Sequence, residues 1–503
     1  MPKYLLAHDL GTSGNKATLF DTDGNLIRST VYSYELITGA NNVAEQRADD
    51  WWRAVCETSR ALVEKIDPKD IIAVSFSGQM MGCLCVDREG VPLHNALIWA
   101  DMRSTAQAEQ IRRNIDAQRY YAITGHRISA SDSITKLMWI RDNLPQVYRD
   151  TYKMLNAKDY IIYRLTGRFV TEPSDASSTC LLDLNTLDWS DEIIAISGLD
   201  KGKLPEVLRS VDIAGGITPA AAAATGLAAG TPIVCGGGDG CCAAVGTGVV
   251  KEGIANCCLG TSSWISLATK QVVCDEGMKV FNFAHIVPGY ILPTGTMQTG
   301  GGALSWAVSN LFRNVDGYPP MDKNDIYRCV GKEVAASPLG AKNLLFLPYL
   351  IGERSPRWND KAKGSFVGLT LNHDRGDMLR AVMEGVGCNL DIILNTFRES
   401  GNDIRELCMI GGGARNKIWQ QILCDIFNVP VNVPNYLEEA TSMGAAITAG
   451  VGVGAFDSFD VVDKFIKITD RNLPDRENNE KYRKTKELFE EAYISLVPLF
   501  EKL

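Results

Sequence analysis

The sequence predicts an α/β protein assembled from two related halves, and three observations lead there. Short apolar, strand-like runs break into glycine turns at Gly11–Gly14, Gly236–Asp239, Gly260–Ser262 and Gly411–Ala414. Leu10-Gly11-Thr12-Ser13 recurs about halfway along the chain as Leu259-Gly260-Thr261-Ser262, each copy ending one strand and preceding another. Helical-period apolar stripes fall between the strands, as in Asp377–Ser400 with Leu379, Val382, Val386, Leu390, Ile393 and Phe397 on one face. A duplicated α/β unit with two phosphate loops is the architecture these three features share.

The totals narrow the function. The chain has 503 residues, is 45% hydrophobic and 22% charged, and carries a formal charge of −9. An acidic chain without long basic runs is a poor match for nucleic acid or an anionic membrane. The opening MPKYLLAHDL is broken by Asp9 too soon for a signal peptide, and no apolar run is long enough to span a bilayer. A cytoplasmic protein is expected. The 14 cysteines include no C-x-x-C pair, so they read as reduced, small core residues.

In chain order, Lys3–Asp9 reads as a strand, Gly11–Gly14 as a turn, Lys16–Asp21 as a second strand and Asp21–Gly24 as a hairpin turn. Backbone N–H groups in a turn like Gly11–Gly14 can cradle phosphate, although no Walker A pattern is present. His8 alternates with Asp9 and reads as structural. Asp49 and Asp50 open an amphipathic helix expected to run through Ile66. Asp70–Ser77 reads as a strand ending at Gly78-Gln79-Met80-Met81, with Met81 as core. Ala96–Ala100 reads as a buried tryptophan strand leading to Asp101 and Arg103, residues suited to binding hydroxyls or to capping a helix. Ser129–Asn143 and Asn156–Leu165 read as helices, Thr171–Leu184 as a serine-rich polar loop, and 219–229 as a small-residue helix. Ile233–Cys235 is a strand that breaks into Gly236-Gly237-Gly238 before a single acid, Asp239. A carboxylate at the C-terminal end of such a strand sits where α/β sheets bind ligands. Gly300–Gly302 and Gly411–Ala414 precede helices, and Glu477–Leu503 reads as a charged amphipathic helix.

These turns and two longer stretches make the chain resemble the FGGY carbohydrate kinases, within them the xylulokinase-like branch. Asp9-Leu10-Gly11-Thr12-Ser13 with Lys16 fits the family's first phosphate loop. Ser131–Asn143 fits its first motif through Ser133, Lys136, Trp139 and Asn143, and Gly364–Glu384 its second through Gly364, Gly368, Asp377, Ala381 and Glu384. The resemblance covers residues 4 to about 450. It implies two actin-like ATPase (ribonuclease H-like) domains facing a central cleft, residues 1–248 and 249–503; the final helix, 477–503, falls in the second domain or packs across both. It implies transfer of the γ-phosphoryl group of Mg-ATP to a hydroxyl of a small sugar, most simply a ketopentose such as D-xylulose, and a homodimer as the family's habit.

The resemblance also assigns roles. Asp239 is the implied catalytic base, and Asp9 with Asp239 the implied Mg²⁺ site. Gly11, Thr12, Ser13, Lys16, Gly260, Thr261 and Ser262 are implied to surround the β- and γ-phosphates, while Gly301, Gly412, Gly413, Ala414 and Asn416 border the nucleotide. Gln79, Met80, Met81, Asp101, Asp239 and Gly240 are implied to line the sugar site. At two positions the chain departs from the branch: Met81 stands where histidine is usual, and Gly240 where asparagine is usual. Both replaced groups hydrogen-bond sugar, so another ketose, a polyol or a sugar acid remains open as substrate. Two other classes compete. An actin-like ATPase acting on a protein partner shares the nucleotide loops but has no use for Gln79 and Asp101. A nicotinamide oxidoreductase fits Gly238-x-Gly240-x-x-Ala243 but leaves the other three glycine turns unexplained.

Overall fold

Tyr4–Leu10 is the central strand of a mixed sheet, apolar enough on both faces to be covered twice. The computed structural model describes residues 3–40, 42–312 and 323–503. Antiparallel pairing joins Tyr4–Leu10 to Gly14–Asp21 and then to Leu26–Ser33. Asp21 caps the second hairpin by accepting the backbone N–H groups of Asp23 and Asn25. On the other side Ile71–Gly78 runs parallel to Tyr4–Leu10, Pro232–Val234 parallel to Ile71–Gly78, and Ile213–Gly216 closes the edge antiparallel. Gly237–Gly238 also pairs with Ile71–Gly78, level with Ser77 and Gly78.

A second sheet repeats this order. Ile254–Leu259 pairs antiparallel with Ser263–Leu267, which pairs with Ile291–Met297. Glu406–Ile410 runs parallel to Ile254–Leu259, Val431–Pro434 parallel to that, and Ile468–Asn472 is the antiparallel edge. Each sheet therefore contains a three-stranded meander, two parallel additions and an antiparallel edge, and the second carries Phe281–Ala284 as a further strand beyond Ile291–Met297. The repeated Leu-Gly-Thr-Ser tetrapeptide follows the same strand in both copies.

The chain divides into two compact units. The first comprises Met1–Val250, Ala268–Pro293 and Glu439–Ile466; the second comprises Lys251–Leu267, Thr294–Glu438 and Lys467–Leu503. In the first unit the helices Ala48–Val63 and Ala157–Thr166 contribute Trp51, Val55, Leu62, Tyr160, Ile161 and Leu165 to a core completed by Leu6, Val74 and Ile233. Burying one aromatic such as Trp51 removes about 150–250 Å² from water, worth at most about 4–6 kcal/mol at ~25 cal/mol per Å². Glycines let the helix Ala440–Gly452 pack hard on the helix Asp239–Gly246. A Cβ on Gly246 would fall 1.8 Å from the Ala440 carbonyl oxygen, and one on Gly444 1.9 Å from that of Cys242. In the second unit Asp374 and Asp377 form a capping box that starts Arg375–Glu399.

Several local expectations need correction. Thr171–Leu184 is no polar loop: Pro173–Ser178 is a short helix, and Ser174, Ser177 and Ser178 are fully buried. Its serine hydroxyls donate within the segment and accept the N–H groups of Met81, Gly238 and Ala284, which permits core-like burial despite a polar composition. Trp99 does not lie in a buried strand. Only Ala96–Leu97 pairs, and Trp99 is 39% exposed with its indole N–H bonded to Thr12. The helix opened by Asp49 and Asp50 stops at Val63 rather than Ile66, and the first-motif helix begins at Ser133, not Ser129. Among the described residues, none of the 14 cysteines is in a disulfide, and twelve of them are buried. Among the described residues, no helix is long and apolar enough to cross a membrane.

Candidate active site

The register of the first sheet gathers the acids. Asp9 pairs level with Ser77, and Ser77 with Gly237, so three strand ends lie in one row. Asp239 follows two residues later as the first residue of the helix Asp239–Gly246. Ser77 donates its hydroxyl to Asp9 Oδ1 at 2.9 Å. Burial is the main cause of a raised Asp9 pKa, which the Ser77 hydroxyl and the Lys16 charge pull back. Asp239 is open to solvent, yet enough protein surrounds it that desolvation, and then the charge of Asp9, push its pKa up to about 7. The Gly240 N–H donates to Asp239 Oδ1 at 2.7 Å and opposes that shift. A carboxyl poised near neutrality is the form a general base needs.

The first glycine turn is pinned from several directions. Gly11 N–H donates to Gly14 O, Tyr34 O–H donates to Gly11 O, and Tyr34 N–H donates to Ser13 O. The Thr12 carbonyl accepts from Gln46 Nε2 at 2.6 Å, and its hydroxyl accepts from Trp99 Nε1 at 2.9 Å. Gln46 Oε1 in turn accepts from Gln79 Nε2 at 2.7 Å and from Trp51 Nε1 at 3.0 Å. Gln79 Oε1 is buried without a partner, an acceptor left over beside the acids. Lys16 forms an ion pair with Glu439 at 3.8 Å.

The Met80–Gly82 turn is held by the first motif. Met81 has a left-handed backbone (φ 62°), and its N–H donates to Ser178 Oγ at 3.1 Å. Lys136 donates to Met81 O at 2.7 Å, and Ser133 to Gly82 O at 2.6 Å. Burial brings the Lys136 pKa down to about 8. Asp101 is fully buried. Its carboxylate accepts from Ala44 N–H and from the Arg103 guanidinium, which also reaches Glu45 and lies 4.7 Å over the Trp139 ring. Gly240 borders open space, since a Cβ there would meet nothing within 4 Å. Asp9, Gly11, Thr12, Ser13, Lys16, Gln79, Met80, Met81, Asp101, Asp239 and Gly240 all belong to the first unit.

The remaining predicted residues belong to the second unit, where backbone contacts join their loops. Gly301 N–H donates to Gly260 O at 2.7 Å, and Gly300 and Gly302 N–H donate to Thr261 O at 2.9 and 3.0 Å. Gly411 adopts φ 86° and backs onto Leu259, where a Cβ would lie 2.8 Å from the carbonyl oxygen. Cys258 is level with Ile410, so the turns at 260–262 and 411–414 leave one sheet edge together. Asn416 caps the helix Lys417–Phe427 by accepting the Ile418 and Trp419 N–H groups, and Ala414 is buried. These N–H groups are spent within the second unit, so they fix the shape of the turns rather than offer donors to an anion.

Sequence reasoning missed Gln46, Ser77, Trp99 and Ser174. Ser174 Oγ accepts the Gly238 N–H at 2.9 Å, anchoring the turn that presents Asp239. Ser77 was visible as the last polar residue of a strand ending beside Asp9. Ser174 carried no signal, because its partner is 64 residues away.

Comparison with known proteins adds independent findings. The N-terminal domain of the FGGY family of carbohydrate kinases matches residues 4–246, and the family's C-terminal domain matches residues 255–453. The chain is 33% identical to a xylulose kinase of Bacillus subtilis over 494 residues, covering 98% of this chain and 97% of the relative. It is 32% identical to a gluconokinase of Bacillus licheniformis over 490 residues, covering 97% and 95%. A ligand-bound xylulose kinase from Lactobacillus acidophilus superposes with a TM-score of 0.92 at 28% identity, covering 99% of both chains. With the duplicated sheets, these matches give the actin-like, ribonuclease H-like ATPase fold expected from the sequence. The chain belongs to the FGGY family of carbohydrate kinases, which phosphorylate an alcohol group of a sugar.

Proposed function

We propose that the protein transfers the γ-phosphoryl group of Mg-ATP to a hydroxyl of a neutral sugar, a ketopentose of the D-xylulose type. The observation that carries this reading is Asp239, a solvent-reached carboxyl with its pKa pushed up to about 7 at the start of a helix, two residues beyond the strand-end row that holds Asp9, Ser77 and Gly237. In this reading Asp239 takes the proton as the sugar hydroxyl attacks, a contribution of roughly 10²–10⁴-fold. Asp9 and Asp239 are two neighbouring carboxylates with raised pKa values, a pair that a divalent cation would suit. When bound, Mg²⁺ supplies neutralisation of phosphate charge. In the first unit Thr12, Ser13 and Lys16 are the phosphate-binding residues of this reading; in the second unit Gly260–Ser262, Gly412 and Gly413 are the nucleotide-binding ones, while Gly11, Gly301, Ala414 and Asn416 spend their backbone N–H groups within these loops and shape them.

Gln79, Met80, Met81 and Gly240 contact the sugar, with Gln79 Oε1 as the acceptor still in need of a donor. Asp101 acts indirectly, holding Arg103 and the Ala44 backbone. Support for a neutral sugar over an aldonic acid comes from Arg103. Its guanidinium is already paired with Asp101 and Glu45, leaving it no charge to offer a substrate carboxylate. The test is ADP release by the full chain with Mg-ATP across ketopentoses, other ketoses, polyols and gluconate. Strong turnover with a ketopentose is expected; turnover with gluconate alone would overturn the neutral-sugar reading, and no sugar-dependent ADP release would overturn the proposal.

A further inference from the structure

His126, Asp132 and Cys180 bring one imidazole nitrogen, one carboxylate oxygen and one sulfur within 4.8 Å of one another, and all three side chains are buried. They come from different elements. His126 follows the helix Ala117–Thr124, Asp132 is the N-cap of Ser133–Asn143, and Cys180 follows Pro173–Ser178 in a left-handed backbone conformation (φ 61°). A non-glycine residue in that conformation holds its side chain at a local cost that the surroundings must offset.

The second observation is an unmet need. Both ring nitrogens of His126 are buried without a hydrogen-bond partner, and so is the Tyr120 hydroxyl. The Asn282 backbone approaches the ring, short of hydrogen-bond geometry. Otherwise the ring faces Phe281 and Phe283, at 5.2 and 4.8 Å. A buried polar group left unpaired costs about 1–3 kcal/mol. Burial keeps the imidazole neutral, with its pKa lowered to about 3, and pushes Asp132 up to about 7 and Cys180 well above its ordinary value. The Cys180 thiol lies within reach of both the Tyr120 hydroxyl and the Asp132 carboxyl, so of the cluster His126 alone has no polar side chain at its ring nitrogens.

We infer that His126, Asp132 and Cys180 form a structural site for a borderline-soft divalent cation of the zinc type, with the Tyr120 hydroxyl or a water at the fourth position. One nitrogen, one sulfur and one oxygen are a donor set that zinc accepts. Zinc–ligand bonds of about 2.0–2.3 Å in a tetrahedron put donors about 3.3–3.8 Å apart, so a contraction of roughly 1.5 Å or less completes the site. Binding displaces the Cys180 thiol proton and any proton on Asp132 to solvent, leaving thiolate and carboxylate on the metal. The nearby Lys136 ammonium then faces a site of two anions and one dication. The cluster lies one helical turn from Lys136 and two residues from Ser178, the two side chains that grip Met81.

The decisive measurement is zinc content and zinc K-edge absorption fine structure of the full, unmodified chain after incubation with zinc and desalting. One zinc per chain with a single sulfur neighbour and otherwise nitrogen or oxygen neighbours is expected. No retained zinc, or two or more sulfur neighbours, would overturn the site. Cobalt substitution gives a second reading through the thiolate-to-cobalt absorption band. That band should vanish in Cys180→Ser and His126→Gln and persist in Cys85→Ser; survival in Cys180→Ser would also overturn the proposal.

Discussion

Asp9 and Asp239 belong to strand ends two strands apart in one sheet, and the charge of Asp9 helps to raise the pKa of Asp239. With Asp239 titrating at about 7, a base role requires kcat/KM to fall on the acid side of neutrality, about tenfold per pH unit once the group is protonated. Removing the Asp9 charge in Asp9→Asn should move that acid limb to lower pH. The check is the pH–rate profile of both proteins, the variant on its residual activity; an unmoved limb counts against the coupling.

Asp239→Asn keeps the shape of the carboxyl and removes its basicity. Turnover should fall roughly 10²–10⁴-fold while ATP affinity by calorimetry stays within about twofold. Near-normal kcat in this variant would remove Asp239 from its proposed role.

Gly240 offers room rather than strain, because a side chain there meets open space. Gly240→Asn should fold with stability changed by no more than about 0.5 kcal/mol. It should also change the ranking of sugars by about tenfold or more in kcat/KM, since a placed amide discriminates on hydroxyls. An unchanged ranking would mean that Gly240 does not face the sugar.

Gly246→Ala and Gly444→Ala each drive a methyl group into a backbone carbonyl at under 2 Å. Each should cost about 3 kcal/mol or more, read as a lowered denaturant midpoint. Gly167→Ala also places a Cβ in open space, at a positive-φ helix end, and should cost only about 1 kcal/mol.

His8 and His285 are buried neutral, with burial lowering each pKa to about 4. Between pH 6.5 and 4 the unfolded chain binds protons that the folded chain refuses, so stability is full above about 6.5 and declines as pH falls. Each tenfold loss of proton affinity on folding corresponds to about 1.4 kcal/mol, giving a decline on the order of a few kcal/mol per histidine. Urea titrations at pH 7 and 5 check it, and replacing His8 with Gln should flatten the slope.

Local grammar made much of the fold legible. Strand ends at Leu10 and Leu259 were marked by glycine turns, and Asn156 and Gly167 bracket their helix as capping chemistry dictates. Asp9 and Asp239 stood out because an acid at a strand end has few other uses. What stayed hidden was non-local. Ser174 and Gln46 matter through partners far along the chain, and Lys136 and Ser133 matched the first family motif without a visible task until their carbonyl partners at Met81 and Gly82 were in view. The serines of Pro173–Ser178 read as a loop because composition shows polarity but not whether hydroxyls are satisfied internally.

The Gly246–Gly444 helix crossing also has a timetable. The helix that presents Asp239 leaves the ribosome with nearly half the chain still to come, while its backing helix, Ala440–Gly452, is among the last segments made. Throughout that interval the small-residue face of Asp239–Gly246 lacks its partner. A chain truncated before residue 439 lacks that backing helix and should be recovered as aggregate or degradation product.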